Sequence, residues 1–268
     1  MYKGFKIEKN TIEKIFEKKE FYKDQYESKT QEIKSNIKKN LENYLLPNKK
    51  INVESLRDDW FPTEQYDIFI SHSHKDIEDV KVLAGYLTYV KKLRVFVDSF
   101  IWGYFQDLQK KLDDKYNLQE NGSYNYSGSN WCCNNVSIIL NSALQEVIDK
   151  SEVIFFYNTP NSITHNYNDQ DRTESPWIFS EIETTRIIEK HCPKRLKLAL
   201  ESYNNLKKDD SAEFSYSIKK YHLINLSKDS FNKWVAENVN NNSTQKREEE
   251  LDKLYSIIKN DEKRKSNS

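Results

Sequence analysis

Glycine and proline are scarce in this chain of 268 residues, which contains five of each. The glycines stand at positions 4, 85, 103, 122 and 128, so no two of them have the G-x-G-x-x-G or P-loop spacing. Those spacings allow a backbone to approach and cradle phosphate groups. The sequence therefore argues against an ordinary dinucleotide-binding Rossmann domain and against a P-loop NTPase.

Cysteine is also rare, since the chain contains only Cys132, Cys133 and Cys192. The adjacent pair is not a C-x-x-C motif, and no histidine stands at a zinc-ligand spacing from it. His72 and His74 are two residues apart, but two imidazoles alone do not complete a zinc site. We therefore expect no metal, and we interpret the cysteines as thiols of a reducing compartment.

An excess of one charge and long apolar runs are both absent. The chain has 42 basic and 42 acidic residues, so no overall field favours nucleic acid or an anionic membrane. The hydrophobic fraction is 37%, no stretch is long and apolar enough to span a bilayer, and the N-terminal residues lack the apolar core of a signal peptide. We expect a soluble, cytoplasmic protein that binds neither nucleic acid nor membrane.

The first 60 residues are predicted to form an N-terminal helical extension. Apolar residues recur every three or four positions in two groups, and Pro47 ends the second. The groups are Ile12, Ile15, Phe16 and Tyr22, then Ile33, Ile37, Leu41 and Leu45. Two amphipathic helices of this kind must bury their apolar faces, either on the following domain or on another copy of the chain.

From Tyr66 onward, short strand-like runs alternate with helical patterns. The runs lie at 66–71, 93–98, 151–160, more weakly 195–200, and 221–226. Helical stripes follow the first run and precede the third, another helix begins at Ser175, and a charged helical tail occupies 241–268. This alternation predicts an α/β fold, a parallel sheet with helices on both faces.

Ligands in such folds bind beyond the carboxyl ends of the strands. Polar and aromatic residues follow three of the predicted strands there: Ser71, His72 and Ser73; Asp98, Phe100 and Trp102; Asn158, Thr159 and Pro160. These residues form the candidate binding surface.

The stretch SPWIFSE, residues 175–181, adds an acid to this surface. Ser175 suits a helix N-cap and Pro176 the first helical position. Trp177 and Glu181 are four residues apart, so they share one face of that helix. The stretch alone allows two interpretations: a ligand site, or a half-buried Trp beside a solvated Glu.

Four motifs in order resemble the Toll/interleukin-1 receptor (TIR) domain family. They are YDIFISHSHKD (66–76), VFVD (95–98) followed by Gly103, a helix ending before Ser151, and Ser-x-Trp-x-x-x-Glu at 175–181. The resemblance places a TIR domain at 61–240. Two features depart from the family: a loop-like insertion at about 113–135, and His72 and Ser73 in the first motif.

The resemblance implies a flavodoxin-like five-stranded parallel sheet and cleavage of NAD at its nicotinamide–ribose bond. Glu181 is then the catalytic residue and Trp177 a wall of the pocket. The remaining substrate-binding residues are Ser71, His72, Ser73, Asp98, Phe100 and Trp102. NAD is the substrate, and no cofactor is implied.

The chemistry agrees with a single carboxylate. Glycosidases need a second acid to protonate a leaving oxygen. Nicotinamide leaves as a neutral base, so one carboxylate facing the developing positive charge suffices.

Stand-alone bacterial TIR enzymes of the anti-phage type release ADP-ribose or a cyclic ADP-ribose-like messenger that acts on a separate effector protein. The alternative function is a non-catalytic scaffold that acts by TIR–TIR assembly. The contacts predicted for self-association are a loop at 100–105 and the N-terminal helices. The sequence does not decide between hydrolysis and cyclisation of the product. It also does not identify the activating trigger or the symmetry of the oligomer.

Overall fold

The computed structural model describes residues 1–35, 41–48, 50–61, 63–165, 171–193, 222–236 and 247–266, and for residues 32–35, 98–105 and 262–266 it describes the backbone alone. Its strands are β1 (Lys3–Glu8), β2 (Ile68–Ser71), β3 (Val95–Val97), β4 (Val153–Asn158), β5 (Thr164–His165), β6 (Asp171–Arg172) and β7 (Ile224–Asn225). Its α-helices are α1 (Lys19–Ser35), α2 (Val53–Trp60), α3 (Ile77–Tyr89), α4 (Asp98–Tyr116), α5 (Tyr126–Lys150), α6 (Pro176–Ile187), α7 (Lys228–Ala236) and α8 (Arg247–Ser266). Short 3-10 helices occupy Lys9–Lys18, Leu41–Tyr44 and His74–Asp76.

Five of the strands form one parallel sheet in the order β3-β2-β4-β1-β7, while β5 and β6 form a separate antiparallel pair. The sequences of the central strands are continuous apolar runs because helices cover both faces of these strands. Five of the six side chains of β4 are buried, and Asn158 is the exception. The predicted α/β class and five-stranded parallel sheet with flanking helices are therefore confirmed.

One strand corrects the expectation of a wholly helical N-terminal extension. Residues Lys3–Glu8 form β1, which pairs in parallel with β4 along its whole length and with β7 on its other side. Phe5 and Ile7 are fully buried, whereas Lys6 and Glu8 are only partly so. Beyond β1, the predicted helices begin with the 3-10 helix Lys9–Lys18 and continue as α1.

β1 also changes the strand order. A flavodoxin-like sheet has the order 2-1-3-4-5. Numbered along the chain, the five strands of this sheet have the order 3-2-4-1-5, so the N-terminal strand holds the position next to β4. The predicted strand at 195–200 lies outside the described residues.

Two predicted loops are largely helical. Residues 100–105 belong to the first turns of α4, which begins at Asp98 immediately after β3. The proposed insertion at 113–135 contains the end of α4, a turn at 117–125 and the start of α5. In that turn Gly122 has φ 78°, a left-handed conformation that glycine adopts without strain.

The two faces of the sheet carry separate apolar cores. The first face packs against the 3-10 helix Lys9–Lys18, α1, α3, α7 and α8. The second face packs against α2, α4 and α5, and its neighbouring cluster joins β4 to α6. The C-terminal helix is charged, as predicted, but it also buries a stripe on the first face: Leu251, Leu254, Tyr255 and Ile258.

Candidate functional site

Helix α6 begins as its sequence predicts. The Oγ of Ser175 accepts a hydrogen bond from the backbone N–H of Ile178 at 3.3 Å, and Pro176 occupies the first turn. Ile178 and Ile182 pack against Phe156 of β4, which places α6 on the second face of the sheet. This packing directs Glu181 toward the carboxyl ends of the central strands.

Glu181 contacts the end of β2. Its Oε2 accepts a hydrogen bond from the Oγ of Ser71 at 2.5 Å, and the two residues are 110 positions apart in the chain. Both side chains are 1% exposed. The structure thus brings together two residues that the sequence predicted for one site. It also closes the carboxylate off from solvent.

Polar contacts continue along the same helix. Ser180 Oγ donates to Asn141 Oδ1 of α5 at 2.6 Å, and Thr184 Oγ1 donates to the carbonyl of Ser180 at 2.7 Å. Thr185 Oγ1 lies 2.7 Å from His222 Nε2, just before β7. The contacts to Asn141 and His222 hold α6 against its neighbours and so limit the positions that Glu181 can take.

Trp177 lies on the same helix, and its side chain packs partly into the apolar core. It is half-buried and packs against the apolar cluster of the second face. Its indole therefore supports the packing of α6, whichever ligand the site binds.

The first-motif residues differ in their surroundings. His72 is buried, with its Nδ1 3.4 Å from the carbonyl oxygen of Ile70, whereas Ser73 is half-buried. Ser73 precedes a 3-10 helix and makes no side-chain cap hydrogen bond to it. Asp98, Phe100 and Trp102 all lie in the first turns of α4, and their side chains are outside the description.

Asp76 has a role that the sequence reasoning missed. Its carboxylate is 8% exposed and accepts hydrogen bonds from Thr159 Oγ1 at 2.5 Å and from Asn161 Nδ2 at 2.7 Å. These two residues follow β4, so the contacts tie the ends of β2 and β4 together. The polar residues that follow the third predicted strand are the sequence feature from which this role of Asp76 could have been predicted.

A cleft of about 670 Å³ opens beside this network. It lies between the carboxyl ends of β1 and β4, and its lining comprises Glu8, Lys9, Asn10, Asp76, Asn158, Thr159, Pro160, Asn161, Ile163 and Thr164. Glu181 is not among these described lining residues. The contribution of Glu8, Lys9 and Asn10 went unpredicted because β1 was unpredicted.

One side of the cleft is held by charged contacts with α3. Lys9 Nζ lies 2.8 Å from Asp79 Oδ2, and this hydrogen bond raises the pKa of the lysine. The same carboxylate accepts a 3.1 Å hydrogen bond from the hydroxyl of Tyr157. Burial, followed by the charge of Asp79, raises the pKa of Tyr157.

Comparison of the chain with protein-family models, with curated proteins and with solved structures finds no match. Across the described residues, no helix combines the length and apolar composition needed to cross a membrane. In that same part of the chain, no three His, Cys, Asp or Glu side chains are grouped as metal ligands would be.

Proposed function

We propose that this protein is a TIR-type enzyme that cleaves NAD at the nicotinamide–ribose bond, with Glu181 as its catalytic carboxylate. The observation that carries the proposal is the 2.5 Å hydrogen bond between Ser71 and Glu181 at the carboxyl ends of the strands. It joins the two sequence motifs on which the TIR resemblance depends, at the sheet edge where α/β proteins bind ligands.

In this proposal the carboxylate acts by charge. As nicotinamide departs, positive charge develops on the ribose ring, and a fixed carboxylate lowers the energy of that state more than it lowers that of the substrate. Ser71 orients one oxygen of Glu181 by donating its hydroxyl hydrogen. His72 and Ser73 follow on the same segment and supply the substrate contacts, and Trp177 borders the pocket.

Glu181 is 1% exposed, so turnover requires an opening step that admits the substrate. The TIR resemblance supplies a reason for such a step, because enzymes of that family become active by assembling. We therefore include self-association in the proposal, with helix α4 at 98–105 as the contact in place of the predicted loop. The product is ADP-ribose or a cyclic messenger for a separate effector, in a cytoplasmic anti-phage response.

A non-catalytic TIR scaffold is the second candidate, and the burial of Glu181 favours it. A carboxylate bonded to Ser71 and closed to solvent is also suited to holding α6 on the sheet. In that case the protein acts only through assembly with other copies.

Incubation of the purified protein with NAD separates the two candidates. The enzyme releases free nicotinamide, and the specific rate per chain rises with protein concentration if assembly opens the site. Chromatography of the remaining product distinguishes ADP-ribose from a cyclic form. A scaffold leaves NAD intact at every protein concentration, including those at which light scattering detects oligomers.

A further inference from the structure

The cleft between the carboxyl ends of β1 and β4 is not used by the proposed NAD chemistry. Its volume of about 670 Å³ is within the range of small-molecule pockets. Glu181 is outside its described lining, and Ile163, which lines the cleft, belongs to the same apolar cluster as Ile178 and Ile182 of α6. The cleft is therefore a distinct place in the fold.

Topology explains why a cleft forms there. After β4 the chain turns to the second face of the sheet, where α6 packs. After β1 it turns to the first face, where the 3-10 helix Lys9–Lys18 and α1 pack. Neighbouring parallel strands whose connections leave to opposite faces leave a crevice between their carboxyl ends, the usual ligand position in α/β sheets. The N-terminal strand thus creates a crevice of its own.

The lining is rich in hydrogen-bond acceptors and carries net negative charge. Glu8 and Asp76 contribute two carboxylates, and asparagine and threonine side chains surround them. Lys9 is the single cationic side chain among the described lining residues, and its Nζ is 2.8 Å from Asp79. Because like charges repel, this surface disfavours a phosphate group and favours ligand hydroxyls, which donate hydrogen bonds to carboxylates.

Part of this surface is fixed before any ligand binds. Asp76 is 8% exposed, and Thr159 and Asn161 hold its two oxygens at 2.5 and 2.7 Å. Ile163 and Pro160 add an apolar wall. A preorganised acceptor group beside an apolar wall suits a ligand with neighbouring hydroxyls on one part and a flat apolar group on another.

We infer that this cleft binds a neutral ribonucleoside, with the ribose hydroxyls facing Glu8 and Asp76 and the base against Ile163 and Pro160. The inference does not depend on NAD cleavage. A nucleoside without phosphate carries no negative charge to be repelled by the lining, and it combines neighbouring hydroxyls with a flat apolar base.

Isothermal titration calorimetry with the full chain tests the inference. Adenosine is expected to bind saturably, whereas its dideoxy analogue, which lacks both ribose hydroxyls, and adenosine monophosphate are each expected to bind about 10-fold more weakly or worse. Free ribose lacks the base and is also expected to bind more weakly than adenosine. Equal binding of adenosine and its dideoxy analogue would overturn the role of the carboxylates, and no saturable adenosine binding at millimolar concentration would overturn the site.

Variants locate the binding within the protein. Glu8→Gln removes one lining carboxylate and is expected to weaken adenosine binding about 10-fold. Asn10→Trp fills the cleft from an exposed position and is expected to abolish binding with the circular dichroism spectrum unchanged. The matched control Glu17→Gln removes the same charge from the 3-10 helix that follows β1, outside the cleft, and is expected to bind normally.

Glu181→Gln distinguishes this site from the proposed NAD site. Normal adenosine binding by Glu181→Gln supports two separate sites, whatever the outcome of the nicotinamide assay. Adenosine binding that is lost in Glu181→Gln but retained in both Glu8→Gln and Asn10→Trp would place the nucleoside at Glu181 and overturn the inference.

Discussion

At the scale of single residues, the contact between Ser71 and Glu181 has two possible consequences. A buried carboxylate is costly unless hydrogen bonds satisfy it, so the Ser71 hydroxyl stabilises the fold. The same hydroxyl orients the carboxylate for the proposed chemistry. The sequence predicted both residues, because each follows a recognisable strand end or helix start. It did not predict their hydrogen bond, which depends on how α6 packs against Phe156.

Ser71→Ala removes that hydrogen bond and leaves Glu181 buried. The expected loss of unfolding free energy is about 1–3 kcal/mol, the usual cost of leaving a buried polar group without its partner. Urea unfolding followed by circular dichroism measures it. Ser73→Ala, at a half-buried position with no side-chain cap hydrogen bond, is the control and is expected to change stability little. Equal stabilities of the two variants would contradict a structural contribution from Ser71.

At the scale of elements, the strands with continuous apolar runs were predicted and the amphipathic strand was not. Apart from Ser71 and Asn158 at their ends, β2 and β4 consist of β-branched and aromatic residues, and short runs of such residues are typical of buried strands. β1 reads KGFKIE, and only Phe5 and Ile7 alternate as a strand would. That pattern is too short to identify, and the strand depends on β4 and β7 for its hydrogen bonds. Without β1, the sequence indicated only the part of the cleft that follows β4, namely Asn158, Thr159 and Pro160.

A buried ion pair fixes the C-terminal helix to the body of the fold. Lys91 Nζ lies 2.8 Å from Glu250 Oε2 and donates to the carbonyl of Trp234 at 2.7 Å, and the lysine and glutamate side chains are almost fully buried. Trp234 Nε1 donates to the backbone carbonyl of Glu250 at 3.0 Å. The pair thus joins the turn after α3 to both α7 and α8.

Removal of the cation alone is expected to destabilise the protein. Lys91→Met removes the buried cation beside the Glu250 carboxylate, whose other oxygen pairs with the partly exposed Lys253, at a cost of about 3 kcal/mol or more. The double variant Lys91→Met with Glu250→Leu is expected to recover most of that loss, because it leaves no buried charge. Guanidinium unfolding of both variants measures the difference, and a double variant no more stable than Lys91→Met would contradict this account.

At the scale of the whole molecule, the α/β architecture could be predicted because alternating strand and helix patterns run through most of the chain. The assignment of 100–105 to a loop was wrong because its apolar residues were interpreted by resemblance, although they are continuous with the helical residues that follow and form the first turns of α4. The charged C-terminal tail contains Leu251, Leu254 and Ile258 at helical spacing, and their burial shows that charge on one face does not prevent packing of the other.

Buried tyrosines make the stability of the whole fold sensitive to high pH. Burial raises the pKa of Tyr66 from 10.0 to about 12, and burial also raises the pKa values of Tyr86 and Tyr157. Above pH 10 these tyrosines ionise in the unfolded chain but stay neutral in the fold, so ionisation favours unfolding. Their stabilisation is complete below that pH and is lost as the pH rises toward the folded pKa values.

Three such groups contribute about 4 kcal/mol of lost stability at roughly one pH unit above the unfolded pKa, a large part of a typical domain's total. We therefore expect cooperative alkaline unfolding above pH 10, with the last part of the tyrosinate absorbance, from the buried tyrosines among the 17, appearing together with the loss of helical circular dichroism. Tyrosinate absorbance that rises fully near pH 10 while the helical signal stays constant would show that the three tyrosines are accessible in the fold.

The claim that Glu181 performs NAD cleavage is tested most directly by nicotinamide release from Glu181→Gln, measured beside Glu183→Gln. The two changes remove the same charge two residues apart on α6, but Glu183 is partly exposed and pairs with Arg186 at 2.7 Å. We predict nicotinamide release by the natural protein and by Glu183→Gln, and a loss of about 10²- to 10³-fold in Glu181→Gln. A Glu181→Gln protein that unfolds like the natural one and releases nicotinamide at the same rate would contradict the assignment.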